Sequence, residues 1–266
     1  MQQRECEEAA RRLDEAERTR RQIGLLSLDH PDLDMAGAYA IQQAWVDIKL
    51  AAGRVVRGHK IGLTSRAMQN ALNIDTPDSG VLFDDMFFAD AGDVPTDRFI
   101  QTRVEAELAF VLKSRLSGPG CTLFDVLRAT EYVTPALEIL DTRILRADPA
   151  TGKTRTVFDT IADNAANAGV VPGGRPFRPD EADMRWVGAI VSRNGKVEET
   201  GLAAGVLNHP AMGIAWLADR MSAFGGALEA GQMVLAGSFI RPIEARKGDT
   251  IHADYGPWGT VSCHFA

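Results

Sequence analysis

The chain has 266 residues, 45% of them hydrophobic and 24% charged, with a formal net charge of −7. That profile fits a soluble globular protein, long enough to bury a core without disulfide or metal staples. The negative balance argues against nucleic acid, whose binding rests on Lys and Arg contacts to phosphate, but leaves room for an anionic substrate held by a local basic pocket or a metal.

The N-terminal MQQRECEEAARRLDEAERTRRQ is densely charged and lacks the apolar core of a signal peptide, and no run approaches the roughly 20 apolar residues that cross a bilayer. Three scattered cysteines, Cys6, Cys121 and Cys263, fit reduced thiols better than a disulfide framework. A cytoplasmic protein with no membrane partner is expected. Residues 4–23 mix acids and bases with Ala9, Ala10, Leu13, Ala16 and Ile23, which predicts a mostly exposed first helix. A second helix is predicted over 34–52, with Asp34 as N-cap and Gly53 as its stop. RVVRGHKIGLTS (54–65) reads as a strand interrupted by Gly58 and Gly62, and 68–75 as a short helix before a Pro/Asp/Ser/Gly loop at 76–80.

From residue 81 onward, short apolar runs at 81–88, 103–112, 186–193, 231–239 and 259–265 alternate with Gly, Pro and Asp, which indicates a β-rich body. Helices are predicted at about 122–130 and 210–224, and RNGK (193–196) carries the Asn-Gly signal of a tight hairpin. The expected organisation is α+β: a mainly helical region with a strand at 1–80, resting on a β-rich body at 81–266 as one continuous unit.

RVEAELAFVL (103–112) places Glu105 and Glu107 two apart, so in a strand both carboxylates point to one face. On an edge strand that face would look at water. Yet Ala109, Phe110, Val111 and Leu112 continue apolar on both faces, which suits a buried strand, and buried ionised acids need a counterion or a metal. A third acid, Glu138, lies in the apolar PALEILD (135–141). Three glutamates in such contexts make an oxygen-ligand site for Mg²⁺ or Mn²⁺ plausible. The five histidines lack HExxH-type spacing, which disfavours a zinc hydrolase. No Gly-rich phosphate-binding motif follows a strand, so nucleotide binding is unsupported.

GHKIGLTS (58–65), RVEAELAFVL, PALEILD, DNAANAG (163–169), RNG, LNHPAMGIAWLA (207–218), GSFIRP (237–242) and KGDTIHADYGPWGTVS (247–262) occur in this order. The series resembles the hydratase/decarboxylase branch of the fumarylacetoacetate hydrolase superfamily over nearly the whole chain. That branch contains 2-keto-4-pentenoate hydratases, 4-oxalocrotonate decarboxylases and 2-oxo-hept-4-ene-1,7-dioate hydratases. DDMFFADAGDVPTDRFI (84–100) and ETGLAAGVLNHPA (199–211) resemble the last of these, which serve 4-hydroxyphenylacetate meta-cleavage catabolism.

The resemblance implies a mixed β-roll, a divalent Mg²⁺ or Mn²⁺ held by Glu105, Glu107 and Glu138, and Lys60 and Asp78 as active-site residues. It implies hydration of an unsaturated 2-oxo-dicarboxylate, with decarboxylation as the nearest alternative, five-carbon 2-hydroxypenta-2,4-dienoate hydration beside it, and an inactive partner subunit of a decarboxylase as the non-enzymatic one. A homo-oligomer is expected on the same ground. Close relatives often carry serine where this chain has Ala162, so no hydroxyl contact is expected there, and the proline of VVPGG (170–174) departs from the pattern. By themselves, Lys60 reads equally well as a snorkelling lysine, Asp78 as a turn residue, Asp163 and Asn164 as helix caps, Asp254 as turn chemistry and His209 as a helix starter. Ser238 is a candidate substrate contact, and Arg66, Arg143 and Arg155 are candidates for the distal carboxylate.

Overall fold

Ala9, Ala10, Leu13 and Ala16 recur at helical spacing, and in the computed structural model they form the buried stripe of helix α1 (Gln3–Thr19). The structure describes residues 1–66, 69–70, 74 and 76–266. Helix α1 ends earlier than expected because Arg20 turns left-handed (φ 55°), which frees Ile23 to bridge Ile144. A short α2 (Leu26–Asp29) follows, then α3 (Met35–Ala51), whose cap is Asp34 accepting the Gly37 N–H at 2.8 Å. The short helix expected over 68–75 lies for the most part outside the described residues.

The strands are β1 (Val56–Gly62), β2 (Asp78–Phe83), β3 (Gly92–Val94), β4 (Arg103–Leu112), β5 (Thr130–Leu140), β6 (Asn167–Pro172), β7 (Gly188–Arg193), β8 (Lys196–Leu202), β9 (Met233–Leu235), β10 (Ile243–Glu244), β11 (Thr250–Asp254) and β12 (Thr260–Phe265). They build two sheets. The larger runs β2-β1-β9-β4-β5-β6 with β10 added on β4, and the smaller runs β3-β12-β11-β7-β8. The first sheet takes β1 from the N-terminal third and seats it between β2 and β9. The expected strand over 81–88 begins earlier, at Asp78, and breaks into a 3₁₀ turn at Asp84–Met86, where the Asp84 carboxylate accepts the Val55 N–H. The predicted hairpin closes between β7 and β8, with Asn194 and Gly195 at φ 53° and 77°, the left-handed pair that tight hairpins require. Pro172 ends β6, an edge strand where a missing N–H is tolerated.

Strand β4 shows how the layers meet. Val104, Ala106, Leu108 and Phe110 face the smaller sheet and join Val191, Ile251 and Phe265 in one core. The alternate face carries Ala109 into a second core, where Leu13, Ile41, Trp45 and Ile161 of the helices cover the larger sheet. Strand β4 is therefore central, between β9 and β5, and the water-facing edge reading of its two acids does not hold. Glu105 and Glu107 lie on the helix-covered face.

Candidate active site

The β4–β5 register sets Glu105 directly opposite Glu138, with Glu107 one pleat further along. Oxygens of Glu105, Glu107 and Glu138 lie within 4.8 Å of one another. Glu107 and Glu138 are fully buried, and Glu105 is half-buried. The backbone N–H of Gly237 donates to Glu107 Oε2 at 2.8 Å. Asn167 Nδ2 donates to Glu138 Oε1 at 2.7 Å, and Lys60 Nζ lies 3.3 Å from the same oxygen. One oxygen of each remains without a partner among the described residues: Glu107 Oε1 and Glu138 Oε2. An unsatisfied buried acceptor costs about 1–3 kcal/mol, more when charged. Carboxylate oxygens that converge and lack donors are the donor set that Mg²⁺ or Mn²⁺ takes, so the residues fit a hard divalent cation.

Lys60 sits on β1 between Gly58 and Gly62, and its alternation puts Ile61 into the inter-sheet core and the ammonium onto the acidic face. The ammonium donates to the Ala165 carbonyl at 3.0 Å. Burial works to lower its pKa, but the charges of Glu138, Asp78, Glu105 and Glu107 outweigh burial and hold it above the ordinary lysine value. Asp78 opens β2 and pairs with Gly62 of β1. A Cβ on Gly62 would lie 2.2 Å from Asp78 Oδ1 and 3.1 Å from Lys60 Nζ, so glycine leaves the space over which these two polar ends converge. Asp78 Oδ1 is buried with no partner among the described residues. Burial raises the Asp78 pKa, and the Lys60 charge opposes that rise.

A left-handed turn holds the other wall. Asn164, Ala165 and Ala166 all have positive φ, at 52°, 51° and 60°. Each such alanine costs about 1–2 kcal/mol, and strain of this kind gathers at functional sites. The turn aims the Ala165 carbonyl at Lys60 and delivers Asn167 to Glu138. It is pinned from behind. The Asn164 side chain bonds both the N–H and the carbonyl of Val81, and Asp163 pairs with the buried Arg143. Asp163 and Asn164 are thus long-range fasteners rather than simple helix caps. Tyr255, in the turn between β11 and β12, donates its hydroxyl to the Ala136 carbonyl at 2.7 Å and lies 3.3 Å from that of Glu107, fixing β4 and β5 beneath the acids.

The remaining candidates separate. The Arg143 guanidinium is spent on Asp163, on the carbonyls of Asp163 and Asn167, and on Glu17 at 3.5 Å. The Ser238 hydroxyl donates to the Ile240 carbonyl at 2.9 Å in a local turn. Arg66 is exposed, while Arg155 is half-buried and donates to the Thr142 hydroxyl at 2.8 Å. His209 Nδ1 accepts the Ala211 N–H and starts the helix Ala211–Ser222, and Asp254 accepts the Gly256 N–H in a turn. Ala162 packs into the helix-covered core and presents no hydroxyl. Asn167, Gly62, Gly237, the Ala165 carbonyl and Tyr255 are site residues that no sequence spacing singles out, although DNAANAG contains the turn.

No family model matches the chain. The chain is 60% identical over 256 residues to the 2-oxo-hept-4-ene-1,7-dioate hydratase of Escherichia coli, covering 96% of each chain. The 4-oxalocrotonate decarboxylase from Pseudomonas putida G7, solved with magnesium and adipate, superposes with a TM-score of 0.94 at 32% identity, covering 100% of this chain and 99% of that one. A protein of Yersinia pestis CO92 placed in the fumarylacetoacetate hydrolase family shares the fold, with a TM-score of 0.58 at 16% identity over 80% of this chain and 94% of that one.

Proposed function

The chain belongs to the hydratase/decarboxylase branch of the fumarylacetoacetate hydrolase superfamily, and we propose that it hydrates 2-oxohept-4-ene-1,7-dioate to 4-hydroxy-2-oxoheptane-1,7-dioate in aromatic meta-cleavage catabolism. The observation that carries this reading is the convergence of Glu105, Glu107 and Glu138 beside the buried Lys60 and Asp78, in a chain 60% identical to a hydratase of that substrate. Glu105, Glu107 and Glu138 would hold Mg²⁺ or Mn²⁺. Bound there, the cation would supply Lewis acidity toward the 2-oxo acid end of the substrate.

The chain's own groups then have distinct tasks. Asp78 is the proton carrier, because its free oxygen faces the space over Gly62 and burial makes it more basic than an ordinary aspartate. It takes a proton from C3 and returns one to C5, which moves the double bond from C4–C5 to C3–C4. Water then adds its oxygen to C4, and a proton reaches C3. Lys60 stays cationic, offsets the charge of Glu138 and offers hydrogen-bond donors to substrate oxygens. Asn167 and the Gly237 N–H keep Glu138 and Glu107 in place.

Decarboxylation of 4-oxalocrotonate uses the same electron sink and is the second reading, supported by the superposition on the decarboxylase. An inactive partner subunit would not need the intact Lys60, Asp78 and glutamate set. The same proposal includes a homo-oligomer in the cytoplasm. Exposed Trp186, Ile190, Val197 and Leu202 on and beside β7 and β8 support a covered face. Among the described residues no helix is long and apolar enough to cross a membrane. The test is loss of diene absorbance for five-, six- and seven-carbon substrates, with Mg²⁺ and with a chelator. Metal-dependent turnover fastest on the seven-carbon diacid is expected, and turnover unaffected by the chelator would overturn the reading.

A further inference from the structure

We propose that Arg103, Arg146 and Arg155 form a subsite for the far carboxylate of a dicarboxylate whose near end sits at Glu105, Glu107 and Glu138. The inference rests on the functional reading above and adds what selects a diacid over a monoacid.

Arg103 is the first residue of β4 and shares its face with Glu105 and Glu107. One pleat repeat, about 7 Å, separates Arg103 from Glu105 along the strand. An extended seven-carbon chain with bonds of about 1.5 Å spans a similar length. The segment 146–155 folds back on itself. The Arg155 N–H donates to the Arg146 carbonyl at 3.0 Å and Ala147 bridges Thr154, so Arg146 and Arg155 are set side by side. Arg146 Nε reaches Gln101 Oε1 at 3.3 Å, two residues before Arg103, and Arg155 Nη1 reaches the Thr142 hydroxyl at 2.8 Å. The cluster therefore stands at the mouth of β4, where the strand leads to the glutamates.

None of the three has a carboxylate partner among the described residues, whereas Arg143 close by is fully paired. The acids around them are engaged elsewhere. Glu244, opposite Arg103 in the β10–β4 ladder, is held by Arg246 at 3.1 Å. Asp141 accepts the Ile100 and Gln101 N–H groups, and Asp163 is held by Arg143. All three arginines are half-buried. Burial and the Arg155 and Arg103 charges press Arg146 down to about 10, and burial lowers Arg155, with the Asp163 charge opposing and the Arg103 charge adding to that fall. Guanidinium forks match a carboxylate in two-pronged fashion. Of the other basic candidates, Arg66 is exposed and Arg143 is occupied.

The test is calorimetric titration of the full-length Mg²⁺-loaded protein with adipate and with hexanoate, equal in carbon number and different by one carboxylate. The wild-type protein should bind adipate at least tenfold more tightly. Arg103→Gln, Arg146→Gln and Arg155→Gln should each reduce that ratio severalfold or more. Where a glutamine variant does not fold, the lysine variant, which keeps the charge and loses the fork, reads the same ratio and should lower it less. A wild-type protein that binds both acids alike, or a ratio unchanged in all three variants, overturns the proposal. Because the readout is binding, an arginine-dependent adipate preference in a protein that fails to hydrate the seven-carbon substrate would support the subsite and count against the hydratase reading alone.

Discussion

Glu105 and Glu138 stand directly opposite each other across the β4–β5 ladder, two acids in a facing pair inside the protein. Facing like charges destabilise a sheet. Burial and the Glu138 charge push the Glu105 carboxyl up from 4.5 to about 8, and the same causes raise Glu107 well above its ordinary value. Without metal, the folded protein therefore binds more protons than the unfolded chain between pH 4.5 and about 8. Its stability should fall as pH rises through that window. A bound divalent cation holds the carboxylates ionised and removes the penalty. The Mg²⁺-induced rise in Tm should accordingly be larger at pH 8 than at pH 6, and Mg²⁺ binding near pH 7 should release protons. Equal Tm gains at both pH values would count against ligation by these acids.

Removal of one oxygen ligand should be felt more than removal of its support. Asn167→Ala, which takes away the donor to Glu138, should weaken Mg²⁺ binding about 10–100-fold. Glu107→Gln should weaken it further, because a neutral amide would replace the proposed ionised ligand. Titration of Mg²⁺ into each variant ranks the two, and undiminished affinity in Glu107→Gln would sink the three-glutamate site.

With Asp78 as the proposed proton carrier, Asp78→Asn keeps the shape over Gly62 but should abolish proton transfer. The expected result is a loss of about 10²–10⁴ in kcat, with Mg²⁺ affinity changed by far less. Should KM shift while kcat holds, Asp78 would be a binding residue instead.

Arg143 and Asp163 form a buried pair that anchors the strained turn behind Lys60. Arg143→Met leaves Asp163 uncompensated and should cost about 3–5 kcal/mol of stability, seen in urea denaturation. The double variant Arg143→Met with Asp163→Leu should recover part of the loss. A variant that keeps its stability and loses only affinity for diacids would return Arg143 to the substrate.

Only the family resemblance joined the three glutamates into one site, but strand spacing made it legible that Glu105 and Glu107 share a face, and the apolar neighbours of Glu138 mark a buried strand. The β-rich body and both long N-terminal helices were legible for the same reason, since periodicity records which face is covered. What pairs with what was not. The facing of Glu105 and Glu138 depends on a β4–β5 register that neither segment encodes alone. The turn at Asn164–Ala166 is hidden because alanines do not ordinarily take a left-handed conformation, and it exists only because Val81, Arg143 and Lys60 hold it from three sides. Arg143 looked like a free cation in sequence for the same reason, since its partner lies 20 residues away on another element.

The most direct measurement is the mass of the product made from 2-oxohept-4-ene-1,7-dioate in the presence of Mg²⁺, with carbon dioxide followed in the same vessel. The account predicts a product that keeps all seven carbons and gains one water, with no carbon dioxide released from this substrate or from 4-oxalocrotonate. Carbon dioxide release from 4-oxalocrotonate, with no water added to the seven-carbon acid, would contradict it.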